Sequence, residues 1–173
     1  RRVAITGAGT INALALDVPG TFAAFREGRC GITELDIRDR ERLSIGIGGQ
    51  VHNWDPEAYF NRQQIVLYDK FTQFTLLAAR QAVAQSGLSF LGDLGLDSGV
   101  VLGTAGGGVN TWDENYRAVY EEKKNRVHPF VVPRLMNNAA ASHLSMEWGL
   151  HGPTFTVATA CASSNHAMGL AFQ

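Results

Sequence analysis

Cysteine is scarce in this sequence, occurring only as Cys30 and Cys161 among 173 residues. Two are too few for a disulfide framework, and their separation matches no thiolate metal site. The five histidines, at 52, 128, 143, 151 and 166, form no HExxH and no other ligand spacing, so no metal is expected. A surplus of one charge is missing too, since the formal net charge is −1. Phosphate backbones call for Lys and Arg concentrated on one face, so nucleic acid is not an expected partner. No apolar run is long enough to span a bilayer, and no membrane partner is expected. The opening RRVAITG pairs two basic residues with a strand-like run, without the longer apolar stretch and cleavage site of a signal peptide. A reduced, cytoplasmic protein is the expectation. With no initiator Met, and a helix-like pattern running to residue 173, the chain reads as a piece of something longer.

Glycine is plentiful, and it clusters in GAG (7–9), GIGG (46–49) and GTAGGG (103–108). Such clusters mark tight turns or close backbone approach. Between them lie alternating short apolar runs and helical periodicities. RVAIT (2–6), SGVVLGT (98–104) and PTFTVATA (153–160) read as buried strands, and GIGGQVHNWDP as a strand followed by turns. Helices are expected over 17–27, with Phe22 and Phe25 on one side, and over 70–87, with Phe71, Phe74, Leu77, Ala78 and Ala82 near one face. A third is expected over 110–126, charge outside and aromatics inside. The stretch 128–152 should begin extended, because of its two prolines, and end as a helix closed by Gly149. Strands separated by helices imply an α/β fold with a mainly parallel sheet. Three core strands are few for such a sheet, and the layout looks unfinished.

TGAGTIN (6–12) keeps only the GxG of a dinucleotide fingerprint. Asn12 stands where glycine or alanine is needed, and no acidic residue follows at the right place, so nucleotide binding is rejected. No GxSxG elbow is present; the corresponding turn reads T-A-C-A-S. A thiol at the first turn of a helix faces unpaired N–H groups and the positive end of the dipole, which favour negative charge on sulfur. Small neighbours at 160, 162, 163 and 164 leave room for a substrate. A lone buried cysteine filling a gap answers the same description, and position alone leaves both readings open. His166 does not decide it: five helical positions place it about 140° around the axis from Cys161, out of reach as a base.

VATACASSNHAMG (157–169), preceded by HPFVVPRLMNNAAASHLSMEWGLHGP and GTAGGG, resembles the β-ketoacyl-acyl carrier protein synthases of the elongating type, and RRVAITGAGTINALALDVPGTFAAFREGRCGI is similar to that family's N-terminal signature. The resemblance covers the whole chain and turns Cys161 toward the nucleophile reading. It implies a thiolase-like α/β fold, a duplicated five-layered α/β/α/β/α architecture of which 1–173 is the N-terminal half, incomplete after the nucleophile helix. It also implies acyl transfer to Cys161 and decarboxylative condensation with malonyl-carrier protein, in fatty acid elongation or a related polyketide pathway. No cofactor is implied beyond the phosphopantetheine of acyl carrier protein. The family's catalytic histidines and lysine belong to the other half, so residues 1–173 alone are expected to be inactive.

By the same resemblance, Ala160 and Met136 line the acyl pocket. Gly106 replaces a bulky aliphatic residue of some members, which implies a roomier pocket. Phe130 and Val131 approach the partner's pocket in a homodimer, whose strands 153–160 pair across a two-fold axis. Lys123, Lys124 and Arg126 form a basic cluster suited to acyl carrier protein or, equally, to a solvated helix end. In the second docking stretch, NRQQIVLYDK, only Arg62 and Lys70 are basic. A reading of another class, a non-catalytic partner subunit, is disfavoured by the presence of Cys161.

Overall fold

The computed structural model describes residues 2–173; Arg1, the first of the basic pair, lies outside them. After an irregular start, α1 (Val18–Arg26) is opened by Asp17, whose carboxylate accepts from the Gly20 N–H, and ends before Gly28 at φ +66°. Two short strands, β1 (Ile32–Glu34) and β2 (Ile47–Gly49), pair antiparallel. The helix α2 (Arg62–Leu67) starts on a reciprocal capping box between Asn61 and Gln64. The longest helix, α3 (Lys70–Ser86), runs from the Asp69 cap to Gly87 in the left-handed region. The short α4 (Asp93–Asp97) precedes β3 (Val100–Gly103). Then come α5 (Val109–Tyr116), continued by a π turn over Arg117–Glu121, α6 (Val131–Leu135) and α7 (Ala139–Trp148). Finally β4 (Thr154–Val157) lies parallel to β3, with Val100 opposite Thr154 and Gly103 opposite Val157, and α8 (Ser163–Phe172) follows.

Helices separate β3 from β4, as an α/β fold requires, and α7 and α8 both pack on that parallel pair. The mainly parallel sheet expected is limited to these two strands among the described residues, since β1 and β2 are consecutive and antiparallel. The core gathers Phe60, Leu76 and Leu144, flanked by Trp54, Ile65, Tyr68, Val100 and Trp148. Three consecutive alanines, Ala139 to Ala141, are buried where α7 meets α3 and the strands. Small side chains there let the helix backbones approach closely.

Several expectations are corrected. Residues 2–6 carry no strand ladder among the described residues. The backbone just after them lies on α3 instead: a Cβ at Gly7 or Gly9 would strike the carbonyls of Ala82 and Ala78. There Gln85 and Gln81 accept from the Ala8 and Thr10 N–H groups at 2.7 and 3.1 Å. The most buried residues of α3 are Thr72, Gln73, Leu76 and Leu77, a face turned from the expected one, because α3 packs on α7, where Leu76 shares the core cluster with Leu144. Phe22 and Phe25 touch each other edge-on but remain exposed. The helix expected over 110–126 is α-helical only to Tyr116, and Trp112, Tyr116 and Tyr120 stack along its exposed side rather than inside. The stretch expected to be extended contains α6, because Pro133 is its third residue, where the missing N–H had no helical partner to lose.

Candidate active site

β3 and β4 are parallel, so their carboxyl ends open on the same side. From β3 emerges the glycine loop 104–108; from β4 emerges the turn that bears Cys161. The two are stitched together, as the Thr104 N–H donates to the Val157 carbonyl at 3.0 Å. Gly103, the last residue of β3, lies directly against the start of α8: a Cβ there would come within 2.6 Å of the Ser164 nitrogen. Glycine is required by that close approach. Loops at the carboxyl ends of parallel strands are the usual place for ligands in open α/β sheets.

Cys161 is an exposed free thiol. It lies two residues before the first residue of α8, with Ala162 as the N-cap, so it stands just upstream of the first turn expected to hold it. The helical-wheel separation from His166 therefore does not apply as drawn. His166 is exposed on α8, and its N–H donates to the Ala162 carbonyl at 3.0 Å. Ala160, immediately before the cysteine, has φ +49°, in the left-handed region that side-chain-bearing residues seldom occupy. The buried Ser163 closes the turn. Its hydroxyl accepts from the Thr159 N–H at 2.9 Å and donates to the Ala160 carbonyl at 2.6 Å. Among the described residues, no hydrogen bond engages the N–H of Cys161. An exposed sulfur thus sits beside an uncommitted backbone donor, an arrangement able to attack a carbonyl and to stabilise the oxyanion that results.

The other expected site residues fall into separate groups. Gly106 is in the glycine loop, where a Cβ would meet only a methyl of Val109, at 3.7 Å. The following glycine, Gly107, is pressed against Leu135 and Met136, and the Gly108 N–H donates to the Leu135 carbonyl at 3.1 Å. Met136 and Gly106 are therefore held on adjoining segments. Phe130 is exposed and Val131 partly buried at the start of α6, and Val131 lines an apolar cavity of about 220 Å³ with Trp112, Tyr116 and Leu135. Lys123, Lys124 and Arg126 are exposed beyond the π turn, Lys123 at φ +55°. Lys124 is drawn to Glu122 at 2.6 Å, which leaves Lys123 and Arg126 as the cluster's other charges. Arg62 is exposed at the start of α2, lining a shallow hollow with Val66 and Leu67. Ser163 and Gly103 shape the turn that bears Cys161, yet neither stood out in the sequence; the only cue was their membership of the TACASS and GTAGGG segments.

Comparison with known proteins converges on one family. The β-ketoacyl synthase N-terminal domain matches residues 1–173. Nodulation protein E of Rhizobium sp. (strain N33) is 37% identical over 171 residues, covering 99% of this chain and 42% of the relative. The 3-oxoacyl-[acyl-carrier-protein] synthase 2 of Staphylococcus aureus (strain N315) is 31% identical over 173 residues, covering 100% of this chain and again 42% of the relative. The chain thus spans less than half the length of these relatives. Among solved structures, the ishigamide ketosynthase/chain length factor superposes with a TM-score of 0.86 at 23% identity, over 99% of this chain and 43% of that one. At that identity the likeness speaks for the fold, which is the expected ketosynthase α/β fold of the N-terminal half. The chain belongs to the β-ketoacyl synthase family, as its N-terminal domain.

Proposed function

We propose that this chain is the nucleophile-bearing part of a 3-oxoacyl-[acyl carrier protein] synthase, and that Cys161 is its acyl acceptor. The observation that carries the reading is the exposed Cys161 thiol in the β4–α8 turn, next to its own unengaged N–H. Its thiolate adds to the thioester carbonyl of an acyl-carrier protein, the oxyanion is held by backbone N–H groups, and the carrier's thiol departs. The acyl chain is then on Cys161. Condensation follows when malonyl-carrier protein loses carbon dioxide and its carbanion attacks that thioester, releasing the Cys161 sulfur. The residues assisting decarboxylation are supplied from outside residues 1–173, so these residues alone do not complete the reaction. No cofactor takes part; the substrates travel on phosphopantetheine.

Several further readings belong to the same proposal. Ala160 and Met136 line the acyl pocket, and Gly106 leaves it open, since only a Val109 methyl stands near the missing side chain. Lys123, Arg126 and Arg62, with Lys124 partly committed to Glu122, attract the acidic carrier protein. β4 has β3 on one side only among the described residues. Its open edge pairs with a second copy, with Phe130 and Val131 reaching toward the partner's pocket. Two exposed free thiols suit a reducing compartment, the cytoplasm. No helix among the described residues is long and apolar enough to cross a membrane.

The test is mass spectrometry of the intact enzyme after incubation with acyl-carrier protein. An acyl adduct is expected on the Cys161 peptide and not on the Cys30 peptide, and Cys161→Ala abolishes it. In the same assay Gly106→Ile shifts the preferred acyl chain to shorter lengths. Absence of any adduct on Cys161 would overturn the reading and favour a non-catalytic partner subunit. An unchanged chain preference would remove Gly106 from the pocket.

A further inference from the structure

Ser163 is 3% exposed, although serine carries no apolar mass that burial would reward. As the first residue of α8, it could donate or accept within its own helix. Its hydroxyl instead turns back across the turn, accepting from the Thr159 N–H at 2.9 Å and donating to the Ala160 carbonyl at 2.6 Å. The Ser163 N–H reaches the same Ala160 carbonyl at 3.2 Å, and the Ala162 N–H reaches the Thr159 carbonyl at 3.0 Å. Four hydrogen bonds thus bracket Cys161, two of them made by one hydroxyl, and none uses the Cys161 N–H.

The bracket has something to restrain. Ala160 is held at φ +49°, a conformation strained for a residue with a side chain, which persists only where its surroundings impose it. The N-cap position is Ala162, whose methyl offers no hydrogen-bond acceptor to fix the start of α8. Ser163 does that work from the next position, while the backbone of Gly103 packs against it from β3.

We propose that Ser163 is a positioning residue for Cys161. Its hydroxyl locks the Thr159–Ala160 backbone onto the first turn of α8, so that the sulfur and the Cys161 N–H share one fixed geometry. This rests on reading Cys161 as the acyl acceptor. A buried serine that merely satisfied the local backbone would contribute to stability alone. A positioning serine acts on the chemical step, because misplacing a reacting group by about 1 Å costs on the order of a hundredfold in rate.

The experiment compares wild type, Ser163→Ala and Ser163→Thr in the intact enzyme, by acyl-enzyme formation on Cys161, steady-state kinetics and thermal midpoint. Ser163→Ala is expected to lower the rate of acyl-enzyme formation and kcat by about tenfold to a hundredfold, with KM for the acyl-carrier protein held within about threefold. Ser163→Thr keeps the hydroxyl and should stay within about threefold of wild type if folded. A Ser163→Ala enzyme with wild-type kcat overturns the proposal. So does one that fails to fold, or one whose KM alone changes, since either makes the role structural. Failure of the parent reading looks different: wild type itself would then form no adduct on Cys161.

Discussion

His143 shows what burial does to a single titratable group. It lies half-buried on α7, its ring centroid 4.5 Å from that of Tyr68, in a hollow that also holds Leu67, Met146, Arg80 and Glu147. Glu147 is the carboxylate lining that hollow, but it is committed elsewhere. Arg80 grips it through Nε at 2.6 Å and Nη2 at 2.9 Å, and that hydrogen bond holds Arg80 above its usual range. Desolvation is then unopposed and pushes His143 below its ordinary value of 6.5. As pH falls through about 6.5, the unfolded chain takes up this proton before the folded one does, so folding stability declines. The decline levels off once the pH is below the folded value. Urea unfolding of wild type and His143→Phe between about pH 7.5 and 5 should show stabilities that diverge in this direction, because the variant lacks this proton. A constant difference across that window would refute it.

At the scale of elements, one carboxylate joins two helices. Asp69 is 2% exposed; its Oδ1 accepts from Phe71 N–H at 3.2 Å and caps α3. Its Oδ2 accepts from both the N–H and the hydroxyl of Thr111, at 2.8 and 2.6 Å. α5 has Gly108 as its N-cap, with no side-chain hydrogen bond, so Asp69 supplies across space what α5 lacks locally. The glycine loop at the site is thereby fixed between β3 and a helix anchored on α3. Asp69→Ala strands two donors on the fully buried Thr111, at about 1–3 kcal/mol each by general experience. A loss of about 2–6 kcal/mol is expected, and a smaller one for Asp69→Asn, which keeps one acceptor oxygen. Urea unfolding at constant m-value measures it, and a loss below about 0.5 kcal/mol for Asp69→Ala would rule the link out. The contrast with the helix ends explains what could be read from residues alone. Asp17, Gly28, Asp69, Gly87 and Gly149 act within a turn of their own positions, so the bounds of α1, α3 and the end of α7 were legible. The Asp69–Thr111 contact spans 42 residues, and the packing of residues 7–10 on α3 spans more than 70, so neither leaves a local pattern. Residues 2–6 resemble a strand because β-branched residues suit one, yet a strand exists only where a partner presents its edge. Cys161 was legible as a thiol at a strand-to-helix turn, whereas the fold of that turn depends on Ser163 and Gly103 meeting from different elements.

The molecule as a whole leaves large apolar side chains in water on many of its elements. Ile5 is 92% and Leu91 85% exposed, and Val3, Phe155, Met168, Leu170 and Phe172 are exposed as well. Scattered apolar residues on a surface are ordinary, but β4 and α8 form the site's own framework and still present Phe155, Met168 and Phe172 outward. Such side chains are what an enclosing protein surface covers: each phenylalanine or methionine removed from water contributes roughly 1.5–3 kcal/mol. The curated relatives are more than twice as long as this chain, and β4 keeps an open edge among the described residues. These facts together predict how residues 1–173 behave in isolation. The polypeptide should bind a hydrophobic dye such as ANS strongly and self-associate with rising concentration, and both should weaken in a variant carrying Ile5→Ser, Phe155→Ser and Met168→Gln. A full-length polypeptide that contains residues 1–173 should show neither dye binding nor concentration dependence beyond its own assembly. A monomeric, dye-silent 1–173 would mean that these side chains are as content in water as any others and need no covering surface.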